Sequence, residues 1–156
     1  MINELFDPTS RAFRLATSPF YLMAHADFRY HEDMEIVMAR RGLSKTIYRI
    51  LTVLRETGAA SVTDLSTIAL TKRTTVSRVV DKMAKMGLVT TAPLASDQRV
   101  TEVKMAPKGT SVLNELTPMI RRQFERATEG VPAADLESLV RTLTHIGKNL
   151  ARHPIE

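Results

Sequence analysis

Cysteine is absent from this chain. That excludes disulfide scaffolds, zinc sites built on thiolates and thiol-based redox sensing. Long apolar runs are missing too: no stretch approaches the roughly 18 uninterrupted apolar residues a membrane helix needs, so no membrane partner is expected. The opening segment, MINELFDPTSRAF, lacks a basic start followed by an apolar core. No secretory signal is therefore expected, and the cytoplasm is the expected location. There are no internal repeats and no low-complexity tracts. Nor is there a glycine-rich phosphate loop, a nucleophile elbow or a cluster of metal ligands, and the four histidines are scattered. Neither catalysis nor a cofactor is expected.

What is present is an ordinary apolar share of 44% in 156 residues, enough for one domain with a sizeable core. The net charge of +5 is unevenly placed. Met1 to Arg41 holds 5 basic and 6 acidic residues, Gly42 to Met105 holds 10 and 5, and Ala106 to Glu156 holds 7 and 6. The whole excess lies in the middle of the chain. Such a segment is either a solvated face or the footprint of a nucleic-acid site.

Periodicity divides the chain into elements. Pro19 can open a long helix reaching about Arg41, with Met23, Ala26, Tyr30, Met34 and Val37 as its apolar stripe and Gly42 closing it. Ser44 is suited to cap a second helix, whose Ile47, Ile50, Leu51 and Leu54 face inward until Gly58. SVTDLSTIAL has capping spacing from Ser61 to Asp64, and its Leu65, Ile68 and Ala69 are expected to point inward. TKRTTVSRVVDKMAKMGLV follows, with Thr71 as the expected cap and Val76, Val79, Val80 and Met83 as the buried stripe. LVTTA and RVTEVKM read as two strands around the tip PLASDQ. Pro107 opens a long helix that Pro118 should bend, and a last helix carries Leu136, Leu139, Val140, Leu143, Ile146 and Leu150.

The order helix, helix, short helix, helix, hairpin, helix, helix predicts a mainly α fold with a small β-hairpin wing. This is a winged helix-turn-helix over residues 43–106, with N- and C-terminal helices over 1–42 and 107–156. The terminal helices carry more apolar surface than the small central core can cover. One from each end is expected to pack together, and against a second subunit, as a dimerisation region.

A recognition helix needs one face that locks it in place and another that meets bases and phosphates. Lys72 to Lys85 supplies both: the valines and Met83 anchor it, while Lys72, Arg73, Thr74, Thr75, Ser77 and Arg78 crowd its N-terminal half and Lys82 continues that side. Hydroxyls position phosphates, and an arginine can take guanine O6 and N7 together.

The stretch from about Leu43 to Gly109 resembles the MarR-type transcriptional regulators. The likeness rests on LSKTIYRILTVL, SVTDLS, LTKRTTVSRVVDKMAKMGLV and the D-x-R tip SDQR, followed by KG, in this order and spacing. It implies a homodimer that binds double-stranded DNA with recognition helices in successive major grooves. Arg99 of the wing would enter the minor groove with Asp97 holding its guanidinium. The chain departs from the family pattern at Thr90, Thr91 and Ala92, at Val100, and in the MAPKG opening of the following helix. The wing is less basic than usual, so a shallower salt dependence is expected.

The resemblance also implies a small aromatic effector. On the first helix Tyr21, His25, Phe28, Arg29 and Glu32 flank the stripe, and Tyr48 and Arg49 lie on the next helix. An arginine beside aromatics would suit an aryl carboxylate, and dimer contacts would account for the same residues. His31 and Glu35, at i and i+4, could offer two ligands to a divalent metal, though a solvated charged face explains them and no metal is expected. His145 and His153 carry no assigned role. The expected function is a homodimeric, sequence-specific repressor released from its operator by an aromatic acid or its acyl thioester. The alternative is a winged-helix module for protein contacts.

Overall fold

The computed structural model describes residues 4–152. The chain divides into two compact units, one ending at Arg121 and the other beginning at Arg122. After a short 3-10 turn (Leu15–Thr17) come α1 (Pro19–Ala39), α2 (Lys45–Thr57), β1 (Ala59–Ser61), α3 (Val62–Ile68), α4 (Arg73–Lys85), β2 (Val89–Leu94), β3 (Asp97–Met105), α5 (Pro107–Ala127) and α6 (Ala133–Arg152).

Local chemistry sets most boundaries of the first unit. The Ser18 hydroxyl accepts from the Tyr21 N–H, and Pro19 stands where a missing N–H costs nothing. Ser44 caps α2 by accepting from the Ile47 N–H. Ser61 and Asp64 form a reciprocal capping box at the start of α3. Gly58 ends α2 at φ +76°, a conformation that lacks a Cβ penalty only for glycine.

Three expectations need correction here. Thr71 is not the cap of α4: Lys72 holds that position without a side-chain bond, and the Thr71 hydroxyl donates instead to the Ala69 carbonyl (3.1 Å). Ile68 does not point inward and is 52% exposed, because α3 is only two turns long and Leu65 and Ala69 already fill its buried face. The stripe of α1 is buried only at its C-terminal end, through Met34 and Met38, while Ala26 is exposed and Met23, Tyr30 and Val37 are half-buried.

α3 ends in an unusual way. Leu70 has φ +53°, the only positive φ among non-glycine residues described. Its N–H donates to the Thr67 carbonyl and that of Thr71 to the Ser66 carbonyl. This is the Schellman closure of a helix, with leucine in the place that glycine usually takes.

The sheet has order β1-β3-β2, all antiparallel, with Ala60 and Thr91 on either side of Val103. β1 was not foreseen: three residues are too few to show a period, and only pairing with β3 makes them a strand. The hairpin strands reach further into the tip than expected, leaving Ala95 and Ser96 as the turn. Pro93 faces Thr101 but Leu94 faces Asp97, so Gln98, Arg99 and Val100 bulge from β3 without partners on β2.

Met34, Met38, Ile47, Ile50, Leu51, Leu54, Leu65, Val76, Val80, Met83, Leu88, Val103, Leu113 and Leu116 make one core. The KG turn has a steric reason. A Cβ on Gly109 would lie 2.2 Å from the Leu88 carbonyl oxygen, so only glycine lets the first turn of α5 sit against the end of α4's loop. α5 is continuous through Pro118.

In the second unit no side chain of α6 is buried, and Leu136 and Ile146 alone are half-buried. Phe124, Leu136, Leu139 and Val140 line an apolar groove of about 510 Å³, with Glu137 and Arg141 at its edge.

Candidate nucleic-acid interface

α4 carries its two functions on two faces. Val76, Val80 and Met83 are buried and Val79 half-buried, which fixes the helix rotation against α2 and α3. Lys72, Arg73, Thr74, Thr75, Ser77, Arg78 and Lys82 are all exposed. Within the described residues none of these seven side chains donates or accepts a hydrogen bond or forms an ion pair. A cluster of unpartnered donors at a helix N-terminus suits a polyanion, because the helix dipole adds to the formal charges there. The absence of a side-chain cap on Lys72 leaves the first amide groups of α4 open as well.

In the wing, one carboxylate oxygen of Asp97 does two things. It accepts from the Arg99 backbone N–H at 3.0 Å, closing an Asx-type turn, and from Arg99 Nε at 3.3 Å. The side chain of Arg99 is 92% exposed and both terminal nitrogens remain without partners. The bulge therefore pushes the guanidinium outward, while the Nε contact restricts its rotation. At this exposure the ion pair contributes about 0–1 kcal/mol to folding, so its effect is on orientation.

The aromatic and basic residues of α1 and α2 do not gather at one point. Phe28 lines a cleft of about 440 Å³ with Ala24, Asp27, His31, Glu32, Glu35 and Lys45. Tyr21 and His25 stack one turn earlier, with centroids 5.8 Å apart, and both are exposed. Arg29 is paired with Glu32 at 3.2 Å. Tyr48 lies in a separate cleft of about 320 Å³ with Arg49, Thr52, Val53, Glu56, Ile68 and Leu70. His31 is turned to Asp27, its Nδ1 lying 2.8 Å from the backbone carbonyl and 3.1 Å from the carboxylate.

Sequence reasoning missed Asp27 and Lys45. Lys45 Nζ donates to Asp27 Oδ2 at 2.8 Å, and Arg49 Nη2 lies 3.7 Å from Oδ1. The Lys45 hydrogen bond holds the Asp27 carboxyl below the usual carboxylate range, against partial burial, with the charges of His31, Lys45 and Arg49 adding to it. No periodicity signals a pair 18 residues apart on two helices. His145 is exposed on α6, and His153 lies outside the described residues. No helix among the described residues is long and apolar enough to cross a membrane.

A buried-stripe helix with an unpartnered basic face, preceded by a short helix and followed by a hairpin with a projecting arginine, defines a winged helix-turn-helix DNA-binding protein. Residues 43–101 match the model of the MarR family. The chain is 34% identical over 144 residues to the HTH-type transcriptional repressor IacR of Pseudomonas putida, covering 92% of this chain and 86% of that protein. It belongs to the MarR family, and is a transcriptional regulator rather than an enzyme. Its fold matches the crystal structure of a MarR-family regulator from Silicibacter pomeroyi with a TM-score of 0.82 and 27% identity, over 91% of this chain and 96% of that one. A mutant MarR from E. coli complexed with operator DNA shares the fold (TM-score 0.70, 14% identity, 80% and 90% coverage).

Proposed function

We propose that this protein is a homodimeric repressor that binds a pseudo-palindromic operator and leaves it when a small aromatic acid, or its acyl thioester, binds. The observation that carries the DNA part is the face of α4, where Lys72, Arg73, Thr74, Thr75, Ser77, Arg78 and Lys82 stand exposed and unpartnered above a buried stripe. Arg99, held by Asp97, adds the wing contact. On this reading residues 43–106 meet DNA, and 1–42 with 107–156 associate two copies. The exposed Leu139, Val140 and Leu150 of α6 support the second assignment, since isolated surfaces of that kind are poorly tolerated in water. Repression is the mode named for the Pseudomonas putida relative. A role on DNA supports a cytoplasmic location.

For the effector, the cleft around Phe28 fits better than a site shared with Tyr48. Phe28 offers a ring and Lys45 a cation at one wall. An incoming carboxylate would compete with Asp27 for Lys45, and an open cleft would admit a longer acyl tail. The test is nuclease protection on DNA upstream of the protein's own gene, with and without benzoate, phenylacetate and their thioesters. Two protected half-sites about 10–10.5 bp apart, lost on adding an acid, are expected. Protection that no such compound relieves would remove the effector reading and leave the DNA reading standing.

A further inference from the structure

Arg49 sits on α2, outside the basic face of α4, yet it touches both α1 and the end of α3. Its Nη2 approaches the Asp27 carboxylate of α1 at 3.7 Å. Its Nη1 donates to the carbonyl of Ala69, the residue that ends α3, at 3.4 Å. That same carbonyl accepts from the Thr71 hydroxyl, directly before the recognition helix. We infer that Arg49 is a positioning residue for DNA recognition, tying α1 to the turn that sets where α4 begins.

The turn needs such a tie. Leu70, next to Ala69, occupies the left-handed region, which a leucine does not favour on its own. The two Schellman bonds hold the N–H groups of Leu70 and Thr71. They leave the Ala69 carbonyl to be held by other donors, and Arg49 and Thr71 supply them. Leu70 packs nothing that would fix the turn from outside, being 81% exposed. An arginine suits the task because its planar fork reaches two acceptors on different elements at once, whereas a lysine is a single point charge. Lys45 and His31 hold Asp27 in turn, so the carboxylate is a fixed anchor on α1. The inference needs no ligand in either cleft.

The test uses the full-length protein and a duplex carrying its protected site. Arg49→Gln and Arg49→Lys are titrated over a series of salt concentrations, beside Asp27→Asn and the Asp27→Asn/Arg49→Gln double variant. Both Arg49 variants are expected to lose about tenfold in affinity, the size of one charge-assisted hydrogen bond. Thermal midpoints should fall by no more than a few degrees, as loss of one such bond implies, and the slope of log affinity against log salt should not change, because no phosphate contact is removed. Asp27→Asn should weaken binding too, and add nothing in the Arg49→Gln background. Unchanged affinity would overturn the inference. So would a slope shallower by about one, which marks a phosphate contact, or full additivity with Asp27→Asn. If the glutamine variant unfolds, Arg49→Lys keeps the stem and the charge and still distinguishes these outcomes.

Discussion

Asp97 puts a negative charge beside the arginine expected to meet a polyanion, and its geometry shows why that need not oppose binding. One oxygen holds both the Arg99 amide and Nε, leaving the outer edge of the guanidinium free. Fixing such a side chain on binding costs about 0.5–1.5 kcal/mol, part of which Asp97 meets in advance. Asp97→Ala should therefore weaken operator binding by about 2- to 10-fold, measured by fluorescence anisotropy. Tighter binding would mean that charge repulsion dominates. Leu70 poses the opposite question, a side chain with no visible benefit in a costly conformation. The left-handed region costs a leucine about 1–2 kcal/mol, and glycine at the same place loses about 0.5–1 kcal/mol in chain entropy. Leu70→Gly should raise the thermal midpoint by a degree or more, since the residue is already 81% exposed. A lower midpoint in calorimetry would show that Leu70 makes a stabilising contact.

Among the elements, those with a cap and a stripe were legible from sequence and those made by pairing were not. Ser44 with Ile47, Ile50, Leu51 and Leu54 defines α2 by local chemistry alone, and the helix is found where that chemistry puts it. β1 consists of three residues whose strand character exists only opposite Val103 and its neighbours. Ile68 was misplaced because a seven-residue helix has too few turns to distinguish its buried side from its rim. The stripe of α4 was legible too, its valines and Met83 spaced so that one face is buried and the basic face left outside, although the cap expected at Thr71 was not found there. Arg78 lies at the middle of that outer face. Arg78→Ala should cost about 1–3 kcal/mol of operator affinity and relax the preference at one base pair, measured by competition among operator variants. A uniform loss over all sequences would make it a phosphate contact instead.

At the scale of the whole molecule, α6 matters most, because it buries nothing within its own unit. Val140 is 64% exposed beside Leu139 in the groove with Phe124 and Leu136. If two copies meet there, Val140→Glu should weaken self-association at least tenfold, seen by sedimentation equilibrium, and operator affinity should fall with it. A variant that remains dimeric would place the interface elsewhere. The effector residues were the least legible part of the sequence. Tyr21, His25, Phe28, Arg29 and Tyr48 share helical spacing, but spacing within a helix says nothing about which cleft a side chain enters. Phe28 and Tyr48 line different ones.

Sequence alone determined the class of this protein, because caps, stripes and charge placement act within a few residues and define α2, α3, α4 and the wing in order. The family resemblance implied that Asp97 would hold Arg99, and the two do meet in the tip. Only the tertiary structure decided which carbonyl Arg49 reaches, that Lys45 belongs to Asp27, and that Gly109 must lie against Leu88. Those contacts join residues 18 or more apart on separate elements, and their geometry exists only once the core has fixed how those elements pack.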